Sequence, residues 1–309
     1  MATALAVLLL LTTLSVTGAK ATPPTSGYPA GPLPIATGDR DAVYHAYGYA
    51  LLTAVREHLP GLTPYLRVTS SPTQNLDLVS RGEVTLGFAS ADAIKEVTPS
   101  AQSSLATLAR LYDDYLHLVV RRDSGVEDLR DLSGHRISVG VAGSGTEQVA
   151  LRLLRAAGVP RRVVTLRHTG VDASVDALKS GQIDGFFFFG GVPTQDVEVL
   201  NLVLPIRLID FADWVPETRS SFHSQLSIPA SAYDRVDSVT TLGVPTYLVV
   251  SKRMDPDLAY ALTAMLFERR DSMAQVHPVV SRLDRRAAIN TYPLRLHEGA
   301  VRYYRDTHI

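Results

Sequence analysis

Two α/β lobes facing each other across a cleft are predicted for this 309-residue chain on three observations. The first is an internal echo. Leu78-Val79-Ser80-Arg81-Gly82-Glu83-Val84-Thr85-Leu86-Gly87-Phe88 is matched about a hundred residues later by Leu178-Lys179-Ser180-Gly181-Gln182-Ile183-Asp184-Gly185-Phe186-Phe187. In both, a helix end carrying one cation meets a Gly suited to the left-handed C′ position, and an apolar run with a β-branched residue follows at once. One αβ unit is used twice, and a repeat this long and sparse points to two similar lobes rather than a solenoid. The second observation is a strand, loop, helix order repeated on both sides of the middle, which favours parallel sheets with right-handed crossovers. The third is size: 309 residues with a 46% hydrophobic fraction suffice for two cores.

The elements follow in order. Residues 22–34, rich in Pro, Gly, Thr and Ser, form a flexible leader. A short strand at Ile35-Ala36 and the loop Thr37-Gly38-Asp39-Arg40 precede a helix over 42–58, with Asp41 as N-cap and Pro60-Gly61 as the stop. A strand over 65–68 leads to Ser71-Pro72-Thr73, which opens a helix running to Arg81, and the first echo strand follows. The apolar run 115–121 reads as a buried strand and marks the first passage between lobes. The second lobe repeats the order: strand 136–140, a Gly-rich loop, helix 147–157 closed by Gly158, strand 163–167, helix 172–180 and the second echo strand. The strand over 247–250 begins the return, and helices over 256–270 and 298–304 pack on the first lobe. The first lobe is thus 35–118 with 248–309, and the second is 119–247.

Charge and composition exclude several functions. Lys and Arg (30) nearly cancel Asp and Glu (31), so no long-range field draws nucleic acid or an anionic membrane. The absence of Cys removes disulfides, thiolate metal sites, a cysteine nucleophile and a lipid-modified N-terminal Cys together. Residues 2–17 are apolar or small and uncharged, and Ala19-Lys20-Ala21 supplies the small-x-small pattern of a cleavage site, so 1–21 reads as a secretory signal cut after Ala21. Only the terminal amine supplies its positive end. As an uncleaved anchor the apolar core is too short for the roughly 20 residues that span a bilayer. A secreted, soluble, monomeric protein with no cofactor is expected.

The candidate site lies in loops. Gly143-Ser144-Gly145-Thr146 stands between a strand and a helix start, where backbone N–H groups without intrahelical partners favour a carboxylate or phosphate. The alternative is that Ser144 or Thr146 merely caps the helix, with Glu147 in its first turn. Ala142 and Thr146 stand where a Gly-x-Ser-x-Gly elbow needs glycine, and no Lys follows as in a phosphate-binding loop. The second echo strand ends in Phe189-Gly190-Gly191-Val192-Pro193-Thr194, so Gly191, Pro193 and Thr194 reach the same carboxyl edge, where ligands of open α/β sheets gather. Thr37, Gly38 and Tyr44, with Ser90 and Asp92, occupy the equivalent edge of the first lobe. The four phenylalanines at 186–189 read as sheet core, and Trp214 either lines the cleft mouth or packs. Asp113 and Asp114, adjacent in a strand, point to opposite faces and form no acid/base couple. The nine histidines form no i, i+4 zinc pair.

With these residues in view, the chain resembles the TAXI family, the extracytoplasmic solute-binding subunits of TRAP transporters. Three stretches carry the likeness: 137–158 around Gly143-Ser144-Gly145-Thr146; 177–193 through Gly181-Gln182-Ile183-Asp184-Gly185; and Pro293-Leu294-Arg295-Leu296-His297-Glu298-Gly299-Ala300-Val301-Arg302-Tyr303-Tyr304. The resemblance implies a type II periplasmic-binding-protein-like fold with two hinge crossovers, a small carboxylate-bearing ligand such as glutamate or a dicarboxylate, and delivery to a TRAP-type permease. Tyr44, Gly48 and Asp92 match the family pattern. Thr37-Gly38-Asp39-Arg40-Asp41-Ala42 departs from its Thr-Gly-Ser loop with two following glycines, and Ser90 stands where a Gln is usual. The other functions weighed are a sensory protein that presents ligand to a receptor and an enzyme related to thiamine-pyrimidine synthases. The enzyme needs a reactive His or Lys constellation, which four lysines and dispersed histidines do not supply.

Overall fold

The computed structural model describes residues 27–38, 43–218 and 223–308. The signal segment, the first part of the leader, and the loop Asp39-Arg40-Asp41-Ala42 with its expected N-cap lie outside the described residues.

Ten strands and eleven α-helices alternate along the described chain. The first lobe opens with β1 (Gly31–Ala36), α1 (Val43–His58), β2 (Leu62–Arg67), α2 (Pro72–Ser80), β3 (Leu86–Ser90), α3 (Ala91–Glu96) and α4 (Pro99–Ser104). The long β4 (Leu105–Arg121) leads into β5 (Arg136–Ser138), α5 (Gly145–Ala156), β6 (Thr165–Arg167), α6 (Val171–Lys179), β7 (Gly185–Gly190), α7 (Gln195–Val203), β8 (Ile206–Leu208), α8 (Val215–Thr218) and β9 (Ser224–Ile228). The long β10 (Val239–Ser251) returns the chain to α9 (Pro256–Glu268), α10 (Arg270–Val276) and α11 (Glu298–Asp306).

These strands form one curled sheet in the order β2-β1-β3-β10-β4-β7-β5-β6, with β8 added to β4 and β9 to β10. Its two ends have the same construction. In the first lobe β2, β1 and β3 are parallel and β10 runs antiparallel beside β3. In the second, β6, β5 and β7 are parallel and β4 runs antiparallel beside β7. Each echo strand therefore pairs with the strand that arrives from the other lobe. From Leu105 to Tyr115, β4 pairs with β10; from Tyr115 to Val120 it pairs with β7. From Gly243 back to Val239, β10 pairs with β9 instead. The two lobes thus share two strands, both of which change partners at the same level.

The echo is reproduced bond for bond. At the end of α2 the Gly82 N–H donates to the Val79 carbonyl (3.0 Å) and the Glu83 N–H to the Leu78 carbonyl (2.9 Å). At the end of α6 the Gly181 N–H donates to Leu178 (3.2 Å) and the Gln182 N–H to Ala177 (2.8 Å). Both glycines are left-handed, with φ of 74° and 70°, as a Schellman closure requires. Each cation then pairs with an acid of its own helix, Arg81 with Asp77 and Lys179 with Asp176.

Several boundaries differ from expectation. β1 begins at Gly31, inside the expected leader, although Pro32 and Pro34 lack donors. Their nitrogens face the β3 side, where pairing starts only at Ile35 opposite Leu86, so no ladder bond is lost. β4 starts ten residues before the expected 115, because a strand covered on both faces shows no alternation to read. Helix α7 and the short β8 and β9 had no separate sequence signal.

Two buried clusters serve each lobe. α1, α9, α10 and α11 cover the first-lobe sheet around Tyr47, Phe88 and Leu248, as expected for the closing helices. α5 and α8 pack around Phe187 and Phe211, while α6 and α7 pack around Phe186 and Phe188 on the opposite face. Trp214 packs on the second-lobe core with the Arg130 guanidinium 5.4 Å above its ring, away from the cleft. Among the described residues no helix is long and apolar enough to cross a membrane.

The segment 293–304 is a packing device. Leu296 bridges to Thr107 of β4, the buried His297 accepts the Gly299 N–H at Nδ1 (3.2 Å), and α11 then crosses α9 where Gly299 admits the backbone of that helix. A Cβ on Gly299 would stand 2.8 Å from the Ala259 Cβ and 2.9 Å from the Tyr260 nitrogen. Gly299→Ala is expected to destabilise the first lobe by roughly 1–3 kcal/mol through overpacking, read as a lowered melting temperature; an unchanged value counts against this packing.

Candidate functional site

Right-handed crossovers bring the carboxyl ends of the parallel strands in both lobes to one edge. Between those edges lies a cavity of about 250 Å³ with walls from both lobes and from the shared strands. β1 delivers Thr37 and Gly38, the first turn of α1 delivers Tyr44, and the end of β3 with α3 delivers Ser90, Asp92 and Glu96. From the second lobe, the β5–α5 loop and the start of α5 contribute Gly143, Ser144, Gly145 and Thr146, the end of β7 contributes Phe188 and Phe189, and the start of α7 contributes Thr194 and Asp196. Ten of the twelve residues singled out in the sequence therefore border one space. Gly191 and Pro193 do not. The chain turns away after Gly190, and Gly191 borders a separate cavity behind the shared strands, against Val279.

The glycine loop spends part of its donors on itself. Ser144 is the N-cap of α5, its Oγ accepting the Glu147 N–H (3.2 Å), as in the capping alternative. The Glu147 carboxylate turns back to accept the Gly143 N–H (2.7 Å) and meets His168 Nε2 (3.0 Å). The Gly143 hydrogen bond, aided by His168, holds the Glu147 carboxyl below its usual range. The N–H groups of Gly145 and Thr146, at the first two helical positions, meet no acceptor among the described residues. Asp92 of the opposite lobe comes so close to them that a Cβ on Gly145 would lie 3.2 Å from its Oδ2.

Thr194 is also engaged internally. Its N–H donates to the Tyr233 hydroxyl (3.0 Å) and its own hydroxyl to the Gly191 carbonyl (2.5 Å). Tyr233 in turn contacts His117 Nε2 (3.1 Å), whose other nitrogen meets the Tyr115 carbonyl (2.9 Å). A carbonyl partner makes Nδ1 the donor, so Nε2 accepts and the ring is neutral; burial pushes its pKa down to about 4. His117 stacks under Phe188 at 4.3 Å and fixes that wall of the cavity. The phenylalanine run is thus only partly core: Phe186 and Phe187 are fully buried, whereas Phe188 and Phe189, at the strand's carboxyl end, also face the cavity.

Sequence reasoning missed Asp114, Glu96 and Asp196. Asp114 sits on β4 opposite Val244, beside the change of strand partners, and is 6% exposed. Asp113 faces the other way and pairs with Arg110 (2.6 Å), as the strand alternation requires. Thr246 Oγ1 donates to Asp114 Oδ2 (2.8 Å), so the hydroxyl of Tyr44, 3.2 Å from Thr246 Oγ1, donates to the threonine. Burial raises the Asp114 pKa from 3.8 to about 7, against the Thr246 hydrogen bond and with the charges of Asp113 and Asp92. The available signal was the acid pair Asp113-Asp114 inside a largely apolar strand, one member of which must face inward. Glu96 is also raised, chiefly by burial, with Gln148 and Arg152 of α5 opposing the shift.

A carboxyl whose folded pKa lies above its unfolded value favours folding below the lower value and loses that contribution as pH rises through the upper one. Asp114→Asn is therefore expected to melt higher than the parent at pH 8, with the difference shrinking from about pH 7 towards pH 4. Thermal denaturation across that range tests it; a constant difference contradicts the assignment.

Solved structures similar to this chain include a Xanthomonas citri protein bound to ATP, 17% identical over 90% of this chain and 99% of that one, with a TM-score of 0.53. A structure from work on glutathione import in Streptococcus mutans is 14% identical over 82% and 98%, with a TM-score of 0.52. A putative L-cystine ABC transporter from Listeria monocytogenes is 13% identical over 82% and 96%, with a TM-score of 0.51. At such identities the likeness concerns the fold, which is the type II periplasmic-binding-protein architecture expected from the sequence. A family model described as the NMT1-like family matches residues 35–307, and the chain belongs to that family.

Proposed function

We propose that the protein is an extracytoplasmic solute-binding subunit that closes two lobes over a small organic solute and hands it to a membrane permease. The observation that carries this reading is the 250 Å³ cavity whose walls come from both lobes and from the two strands they share. A solute touching both lobes favours the closed state, so binding shifts a hinge equilibrium without chemistry. The bodies that move are 35–118 with 248–309 and 119–247, and the hinge lies where β4 and β10 change partners. The likeness of three sequence stretches to TAXI subunits supports a TRAP-type permease as the partner, a monomeric carrier, and a leader cut after Ala21.

Thr37, Gly38, Tyr44, Ser90 and Asp92 on one side, and Gly143 to Thr146 with Thr194 on the other, would form the grip. Gly191 and Pro193 support the turn behind it. The carboxylate expected at the glycine loop would share the Gly145 and Thr146 amides with Asp92, so we confine the ligand here to a small organic solute. The described lining holds no Lys or His to act as a nucleophile or base partner, which favours binding over catalysis.

Gly145→Val tests the grip. A branched side chain there enters the space between α5 and Asp92, blocking closure while leaving both cores untouched. The variant should keep the parent's circular dichroism and lose solute-induced thermal stabilisation. Stabilisation equal to the parent's would remove this loop from the site.

A further inference from the structure

Charge in the cleft is not distributed as in the rest of the molecule. The whole chain is almost neutral, with 30 cations against 31 acids, yet the described cavity lining contains Asp92, Glu96, Asp114 and Asp196 and no Lys, Arg or His. Elsewhere acids stand beside guanidinium groups: Asp77 with Arg81, Asp113 with Arg110, Asp184 with Arg136, Asp257 with Arg302. Within the cleft, Asp92 and Asp196 have no ion pair among the described residues. Asp114, more than nine-tenths buried, receives the hydroxyl of Thr246, which is in turn bonded to that of Tyr44, and has no ion pair among the described residues.

Helix starts, which favour anions, border the cleft in α2, α5, α6 and α7; that of α2 is capped by Ser71, that of α7 carries Asp196 in its own first turn, and that of α5 is met from the other lobe. The N-terminus of the twelve-residue α5 faces Asp92 of the opposite lobe, so closing the lobes places a carboxylate of the protein against that dipole. The remaining walls suit a cation with an alkyl body: the aromatic residues Tyr44, Phe188 and Phe189 border the space, and Val141, Val171 and Val244 line the rest.

Resting on the solute-binding reading above, we infer that the cleft recognises its solute through a protonated amine held between Asp92, Asp114 and Asp196, and that the ligand class is a small organic amine carrying at most one carboxylate. A dicarboxylate would add two negative charges to a desolvated space that already holds several, with no cation among the described lining residues and with the nearby Arg152 of α5 already set against Glu96. An amine neutralises acids drawn from α3, β4 and α7, and so ties the first lobe, the hinge and the second lobe together.

Three four-carbon probes separate the possibilities on the full chain by titration calorimetry at pH 8: 1,4-diaminobutane, 4-aminobutanoate and succinate. The diamine should bind at least tenfold more tightly than succinate, with the amino acid between them. Asp92→Asn and Asp196→Asn, nearly isosteric, should each weaken the diamine about tenfold or more while the unliganded melting temperature stays within a degree or two. Succinate binding as tightly as the diamine overturns the amine assignment and leaves the solute-binding reading standing. Diamine affinity unchanged in both variants overturns it as well. Failure of all three probes to bind counts against amine recognition, whereas loss of the solute-binding reading itself requires that Gly145→Val leave solute-induced stabilisation intact.

Discussion

The antiparallel pair of β4 and β10 is the constraint on which the remaining architecture depends. These two strands are continuous through both lobes, and each is hydrogen-bonded to the other on one side of Tyr115 and Gly243 and to different neighbours on the far side. A sheet that continues through a change of partners must twist and curl there, because each lobe's remaining strands follow their own twist. The curl turns the carboxyl edges of the two parallel sets towards each other. Had either long strand ended at the lobe boundary, the glycine loop after β5 and the α3 acids after β3 would have no fixed relation.

The two lobes share a construction but differ where they meet the cavity. Behind the first-lobe edge, Asn75 donates to the carbonyls of Thr37 and Phe88 and accepts from Thr69, joining the ends of three strands. The corresponding place in the second lobe is held by the hydroxyls of Ser174, Ser138 and Thr169. Both knots satisfy buried polar groups and hold loops rigidly. The cavity surfaces built on them are unlike: α3 presents acids from the first lobe, whereas β7 presents aromatic rings from the second.

Electrostatics link the shared strands to the site. Asp114 is on a shared strand, bonded to Thr246 of the other shared strand and through it to Tyr44 of α1. Its raised pKa records the cost of a carboxylate among like charges in a poorly hydrated space. Asp92 faces the start of α5 from the other lobe, where the helix dipole favours a carboxylate. The same helix end that a sequence reader assigns to a ligand anion thus serves, in this conformation, an acid of the protein.

Much of the fold was legible because its signals are local. Ser71-Pro72 opening α2, and Gly82 and Gly181 closing α2 and α6 in the left-handed region, each act within a few residues and survive any tertiary context. The order of strands and helices then predicted parallel sheets, and with them the edge on which Thr37, Ser90 and the glycine loop would fall. The partners of strands were not legible. β1 under its prolines, the early half of β4, and the pairing of β3 with β10 depend on which residues far along the chain come alongside, and a strand buried on both faces carries no periodicity that reveals this. For the same reason the sequence by itself determined where the site's loops are, while only the tertiary structure decided the site's charge: Asp92, Asp114 and Asp196 stand on three separate elements, and their mutual field exists only once the shared strands have curled those elements around one space.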